Sequence, residues 1–201
     1  MDFTDSALRH RRRAGHNEML GRAVGWRAHR APVVLDATAG FGRDAFVLAD
    51  LGCRVHLCER HPVMALLLEE ALGEASGADD WLSGVVCRMR LHPHDARTLA
   101  LECLDEVEVI YLDPMFPVER KALPTKTMQV LHALLAIDDA EELVDQRLLV
   151  EWALEQGVAR VVVKRPRRAP PLAHRRPSYE LAGKAARFDV YVLRDLREDG
   201  Q

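Results

Sequence analysis

The sequence predicts an α/β fold built on an open, mostly parallel sheet with helices on both faces. Three observations predict it. From Pro32 onwards, short apolar runs alternate with longer helical patterns, the order that βαβ units produce. The first run, Val33–Asp36, drops through Ala37, Thr38 and Ala39 into Gly40-Phe41-Gly42, a strand–turn–helix passage suited to a nucleotide-like ligand. The chain of 201 residues, 48% hydrophobic and 29% charged, is long enough for one domain with a sizeable core.

Residues 1–30 read as a basic N-terminal segment with one short helix, about Asn17–Arg27, weakened by its glycines. The main domain covers 31–201. After the first strand a helix starts near Arg43 or Asp44 and is stopped by Gly52. Arg54–Cys58 is a second strand ending on Glu59. Pro62 opens a strongly apolar helix, Val63–Leu72, which Gly73 closes. Residues 74–84 form a polar connection, Val85–Leu91 a third strand, and Ala96–Leu104 a helix. Val107–Leu112 is a clear fourth strand running into Asp113-Pro114. Three prolines, Pro114, Pro117 and Pro124, make 115–124 a loop. Helical patterns follow over Lys126–Leu135 and Ala140–Glu155, then a strand at Ala159–Val163. Residues 164–178 are basic, proline-rich and irregular, and Phe188–Leu193 is the last strand.

Several function classes are excluded early. No apolar run is long enough to span a membrane. The first residues lack the apolar core of a secretory signal, so a cytoplasmic location is expected. The four cysteines form no C-x-x-C pair and read as small buried hydrophobes. His92-Pro93-His94-Asp95 has no second cluster at ligand spacing, so no metal is expected. The net charge of −3 hides an asymmetry: residues 1–30 carry seven Arg against three acids, and 160–187 carry nine Lys or Arg against Glu180 alone. Two basic segments bracketing an acidic body suggest a polyanionic partner, although a solvated surface would look the same.

Gly40-Phe41-Gly42-Arg43-Asp44-Ala45 fits G-x-G-x-x-A, and Glu59 at the end of the second strand can accept hydrogen bonds from a ribose diol. That pattern serves dinucleotides and S-adenosylmethionine alike. Asp36 would repel a pyrophosphate but suits the cationic methionine part of S-adenosylmethionine. Asp95 can accept from an adenine amine or simply cap the next helix. The sharpest signal is Asp113-Pro114-Met115-Phe116, directly after the fourth strand. It resembles the D-P-P-[YF] motif of amino-group methyltransferases, with Met115 in place of the second proline. There the Asp113 carboxylate and the Pro114 carbonyl can accept the two N–H bonds of a planar amine, while Phe116 stacks on the base. A plain turn at Asp-Pro is the simpler alternative.

With those residues read, the chain resembles the ribosomal small subunit methyltransferase J family. The matching stretches are HRRRAG (10–15), LDATAGFGRDAFVLADLGCRV (35–55), ERHPVMALLL (59–68), VIYLDPMFP (109–117), RVVVKRP (160–166), APPL (169–172) and RFDVY (187–191). The resemblance implies a Rossmann-like class I methyltransferase fold with a mostly parallel seven-stranded sheet. It implies methylation of a guanine N2 amine in 16S ribosomal RNA, with S-adenosylmethionine as cofactor. It adds Arg43, Asp44, Arg60 and His94 to the cofactor contacts Asp36, Gly40, Gly42, Glu59, Asp95 and Asp113. It also implies relatives with more sequence ahead of HRRRAG.

The expected phosphate contacts are Arg11, Arg12 and Arg13 from one end, with Lys164, Arg165, Arg167, Arg168, Arg175 and Arg176 from the other. Lys164 could instead only cap the sheet. The expected partner is 16S ribosomal RNA or the small subunit, with no membrane, no metal and a monomeric chain. Alternatives are the same chemistry on adenine or a protein amide, a dinucleotide-dependent oxidoreductase, and a non-catalytic RNA-binding or assembly factor.

Overall fold

A computed structural model describes residues 18–99, 106–114, 139–184 and 186–196. The elements are α1 (Glu18–Val24), β1 (Val34–Asp36), α2 (Arg43–Asp50), β2 (Val55–Cys58), α3 (Pro62–Ser76), α4 (Asp80–Val86), β3 (Met89–His92), a 3-10 turn (Ala96–Thr98), β4 (Val109–Leu112), α5 (Asp139–Glu155), β5 (Arg160–Pro166), β6 (Tyr179–Ala182) and β7 (Ala186–Val192). The seven strands form one sheet in the order β3-β2-β1-β4-β5-β7-β6. The first five are parallel, and β7 runs antiparallel between β5 and β6. The mostly parallel seven-stranded sheet is as expected.

The parallel strands are short, continuous apolar runs because both of their faces are covered. All four residues of β4 are buried. Alternation along the strand sends Val109 and Tyr111 into the core layer that holds Phe46, Leu57, Leu68 and Leu82. Ile110 and Leu112 enter the opposite layer, with Leu149 and Ala153 of α5. In β5, Val162 joins the first layer, while Val161 and Val163 join the second. Helices α1 to α4 cover one face and α5 the other. From the β1–β4 pair the strand order proceeds outwards to both sides, β2 and β3 on one and β5 on the other, so a crevice opens at the carboxyl ends of that pair.

Several boundaries differ from the sequence reading. The stretch read as a connection and the start of a strand contains α4, and β3 begins only at Met89. Asp79 caps α4 by accepting from the Leu82 amide at 2.8 Å. Leu82, Val85 and Val86 then bury one helical face against α2 and α3. Helix α3 does not stop at Gly73 but continues to Ser76, because Ala71 and Ala75 extend its buried stripe. Strand β5 reaches Pro166, and β6 lies in a stretch to which no strand was assigned. The helix expected over Ala96–Leu104 begins as a single 3-10 turn, with 100–105 outside the described residues. The helix expected over Lys126–Leu135 also lies outside them. Cys53 and Cys58 are buried as expected, whereas Cys87 is exposed.

Candidate active site

The first strand delivers Asp36 to the crevice and then turns sharply. Gly40 and Gly42 take φ of 51° and 64°, a left-handed backbone that glycine adopts without steric penalty. Gly42 stands at the N-cap of α2, so the turn swings directly into that helix. The turn is also tied to the neighbouring strand ends. The Glu59 carboxylate accepts from the Gly40 amide at 2.8 Å and from the His61 amide at 2.8 Å. Thr38 donates its amide to Asp36 Oδ1 at 3.1 Å, and its hydroxyl accepts from the Asp113 amide at 2.7 Å. A single threonine therefore ties the glycine turn to the segment after β4.

Around this turn lies a cleft of about 520 Å³. Its wall includes Asp36, Gly40, Arg43, Asp44, Glu59, Arg60, Asp95, Asp113, Pro114 and Lys164. The N-terminal half of α5 supplies Glu142, Asp145, Gln146 and Leu149. The wall is rich in acids. Burial holds the Asp36 carboxyl well above the usual carboxylate range, and the nearby Asp44, Asp113 and Glu59 charges raise it further. A positive charge entering beside Asp36 relieves that strain, whereas a pyrophosphate would add to it. The acceptor-rich wall beside Asp36 therefore suits a cationic group better than a pyrophosphate. Burial also raises the Asp113 carboxyl, opposed by the adjacent Lys164.

Lys164 stands at the centre of the acids. Its Nζ donates to Asp44 Oδ2 at 2.7 Å and to Asp113 Oδ2 at 2.8 Å. The Tyr111 hydroxyl donates to the same Asp44 oxygen at 2.6 Å. Strand geometry explains the convergence. Tyr111 pairs in register with Val162, so Asp113 and Lys164, each two residues further on, lie above the same face.

A second network closes the other end of the cleft. Arg60, after β2, pairs with Asp145, and its second nitrogen lies 3.6 Å from Glu142. Arg97 pairs with Asp145 at 2.8 Å and with Asp95 at 2.6 Å. Asp95 also caps the 3-10 turn through the Arg97 amide at 2.9 Å, and Arg97 lowers its carboxyl. The cap reading of Asp95 holds for the 3-10 turn, and the same side chain lines the cleft.

Other expected contacts sit differently. His94 is exposed, with its ring edge against His92, whose Nε2 lies 3.0 Å from His56 Nδ1. Gly42 is buried in the turn beneath the cleft wall. Arg165 is 3% exposed and donates Nη2 to the Pro170 carbonyl at 2.6 Å. It shares the inward face of β5 with Val161 and Val163, so its guanidinium supports the chain from beneath. Arg167 and Arg168 are exposed at the carboxyl end of β5, on the rim of the crevice. Arg43 is exposed with its guanidinium 5.7 Å from the Phe41 ring centre. Phe116, Arg11, Arg12 and Arg13 lie outside the described residues.

Sequence reasoning missed Thr38, Tyr111, Arg97 and the acids of α5. Tyr111 carried a signal, since a tyrosine buried within an aliphatic strand needs a partner for its hydroxyl. Arg97 and Asp145 carried none, because their pairing joins segments far apart in the chain.

The chain has relatives among known proteins. A family model described as "Putative SAM-dependent methyltransferase" matches residues 1–193. The ribosomal RNA small subunit methyltransferase J of Cellvibrio japonicus is 44% identical over 97% of this chain and 75% of its own length. The protein of that name from Dechloromonas aromatica is 46% identical over 98% of this chain and 80% of its own. Among solved structures, a SAM-dependent methyltransferase from Neisseria gonorrhoeae matches with a TM-score of 0.70 and 35% identity, covering 95% of this chain and 73% of that one. An RNA methyltransferase from Salinibacter ruber, solved with S-adenosyl-L-homocysteine, shares the fold at a TM-score of 0.53 and 15% identity, covering 93% of this chain and 95% of that one.

Proposed function

The chain belongs to the SAM-dependent methyltransferase family of that model, and from this premise we propose that it methylates the exocyclic N2 amine of a guanine in 16S ribosomal RNA. One observation carries the reading. Asp113 and Pro114 leave β4 at the crevice, hung from Thr38 of the glycine turn, so the acceptor groups stand beside the cofactor cleft. The relatives at 44% and 46% identity are named for ribosomal RNA of the small subunit.

When bound, S-adenosylmethionine supplies an activated sulfonium methyl, which leaves its bonding electron pair on sulfur. The protein has the remaining tasks of binding, orienting and removing a proton. Glu59, fixed by two amides, would receive the ribose diol. Asp36 and Asp44 would face the positive methionine part, with Gly40, Gly42 and Arg43 shaping the turn. Arg60 and Asp95 would wall the adenine side. Asp113 and the Pro114 carbonyl accept the two amine N–H bonds, and the Asp113 carboxylate takes the proton as the new N–C bond forms. Positioning of this kind is worth up to about 7–11 kcal/mol in well-oriented reactions.

Phe116 is the proposed stacking partner of the base. Arg167 and Arg168 on the rim, together with Arg11, Arg12 and Arg13, are proposed to grip phosphates. The proposed setting is the cytoplasm and the proposed state a monomer. No helix among the described residues is long and apolar enough to cross a membrane.

The test is a mass-spectrometric map of methylated guanines in 16S RNA from cells with and without the protein. One N2-methylguanine should vanish without it and return when purified protein and cofactor are added. An unchanged map, with labelled methyl entering DNA or protein instead, would move the acceptor to adenine or a protein amide.

A further inference from the structure

The sequence placed Lys164 among the phosphate contacts, but its ammonium lies inside the cleft between two carboxylates. We propose that Lys164 is a positioning residue for the transfer: it bridges Asp44 on α2 and Asp113 after β4, fixing the Asp113 carboxylate towards the acceptor amine.

Four features support this. The contacts at 2.7 and 2.8 Å are charge-assisted and simultaneous, so the Nζ locates both carboxylates relative to one another. One of those acids lies in the first turn of α2, directly after the glycine turn, and the other in the acceptor segment. The ammonium thereby sets the spacing between the two halves of the site. Its strand face is fixed by the Tyr111–Val162 register and its stem by β5, a rigid element rather than a loop. The two acids also hold the Lys164 ammonium in its charged form against the effect of burial.

Among the described residues, the groups facing Asp113 are Lys164 from β5, Asp44 from α2, Asp36 from β1 and the Tyr111 hydroxyl from β4. Only Lys164 is positive. Without it, burial and the neighbouring acids act unopposed, and Asp113 holds a proton to higher pH. A protonated Asp113 cannot accept an amine N–H on that oxygen. Activity therefore falls from the acid side inward.

This inference rests on the methyltransferase reading, and the experiment keeps the two apart. Lys164→Gln retains a donor without the charge, and Lys164→Ala leaves space for an added alkylamine. In the wild-type enzyme and both variants, kcat and KM for RNA are measured from pH 5.5 to 9, with cofactor affinity by calorimetry. The expected result is an acid limb of kcat moved up by about one pH unit or more, hence a loss of about tenfold or more on that limb. Propylamine should restore the Lys164→Ala enzyme. In parallel, carbon-13 spectra of labelled aspartate carboxyls, with Asp113 assigned through Asp113→Asn, should show that group titrating higher in Lys164→Gln. An unshifted acid limb, a loss confined to KM for RNA, or an unchanged Asp113 titration would overturn the proposal. If wild type transfers no methyl group to RNA, the functional reading fails, while the carboxyl titration still decides the role of Lys164.

Discussion

Replacing Thr38 by Val tests whether the glycine turn positions the acceptor segment. The two side chains have nearly the same shape, so the substitution removes one oxygen and little else. That oxygen accepts from the Asp113 amide at 2.7 Å, directly behind the carboxylate proposed to hold the amine. In Thr38→Val the part-buried Asp113 N–H loses its partner, a defect worth about 1–2 kcal/mol. If that energy holds the acceptor geometry, kcat falls by a factor of about 5–30. Cofactor affinity stays near the wild-type value, because the Thr38 amide still donates to Asp36. Thr38→Ser keeps the oxygen and should recover most of the rate. The assay is steady-state methyl transfer to RNA, with cofactor binding measured separately. A Thr38→Val enzyme with kcat within twofold of wild type would refute the reasoning, as would a loss that Thr38→Ser shares in full.

Three other outcomes are expected. Asp145→Asn should weaken cofactor binding by about 2–5-fold, more at low salt, because Asp145 ties α5 to Arg60 and Arg97 across the cleft; equal affinity at two ionic strengths would refute it. Gly73→Ala should raise stability to urea by about 0.5–1 kcal/mol, since Gly73 lies within α3 and an added Cβ meets nothing within 4 Å. A lower denaturation midpoint would count against it. Burial first, then the charges of His56, Arg90 and His94, push the His92 imidazole down to about 4. The unfolded chain takes up that proton near pH 6.5, so the contribution is complete above that pH and is lost as pH falls towards 4. Unfolding curves should show this slope in wild type and a flatter one in His92→Gln; equal slopes would remove His92 as its source.

The parts of the fold that the sequence discloses are those where a local signal coincides with a buried strand. Val33–Asp36 before the glycines and Val107–Leu112 before Asp113-Pro114 are such places, and both bound the cleft. Helix α4 was hidden because Val85 and Val86 favour strands, although Asp79 followed by Leu82 gave a capped helical start. Strand β6 has three exposed residues and one half-buried, so no alternation marks it; it exists through its pairing with β7. The bridge from Lys164 to Asp44 and Asp113 depends on the registry of strands about 50 residues apart in sequence, which no local pattern carries. Arg165 shows the limit of counting charge. A basic run gives the sign of a surface, but strand alternation decides which arginines reach it.

Arg165 and its neighbour across the sheet also explain how the crevice rim can change. Arg165 holds the Pro170 carbonyl, and Arg187, clasped by Asp189 on β7, holds the Arg167 carbonyl at 3.2 Å. His174 is tied in turn through its amide to Glu151 on α5 at 3.0 Å. The path of this rim is therefore set by its main chain and by side chains beneath it, while Arg167, Arg168, Arg175 and Arg176 project outward. Framework and outer face are thus chemically separate. Exchanging the outward arginines would therefore change the charge of this face while the chain beneath it keeps its path.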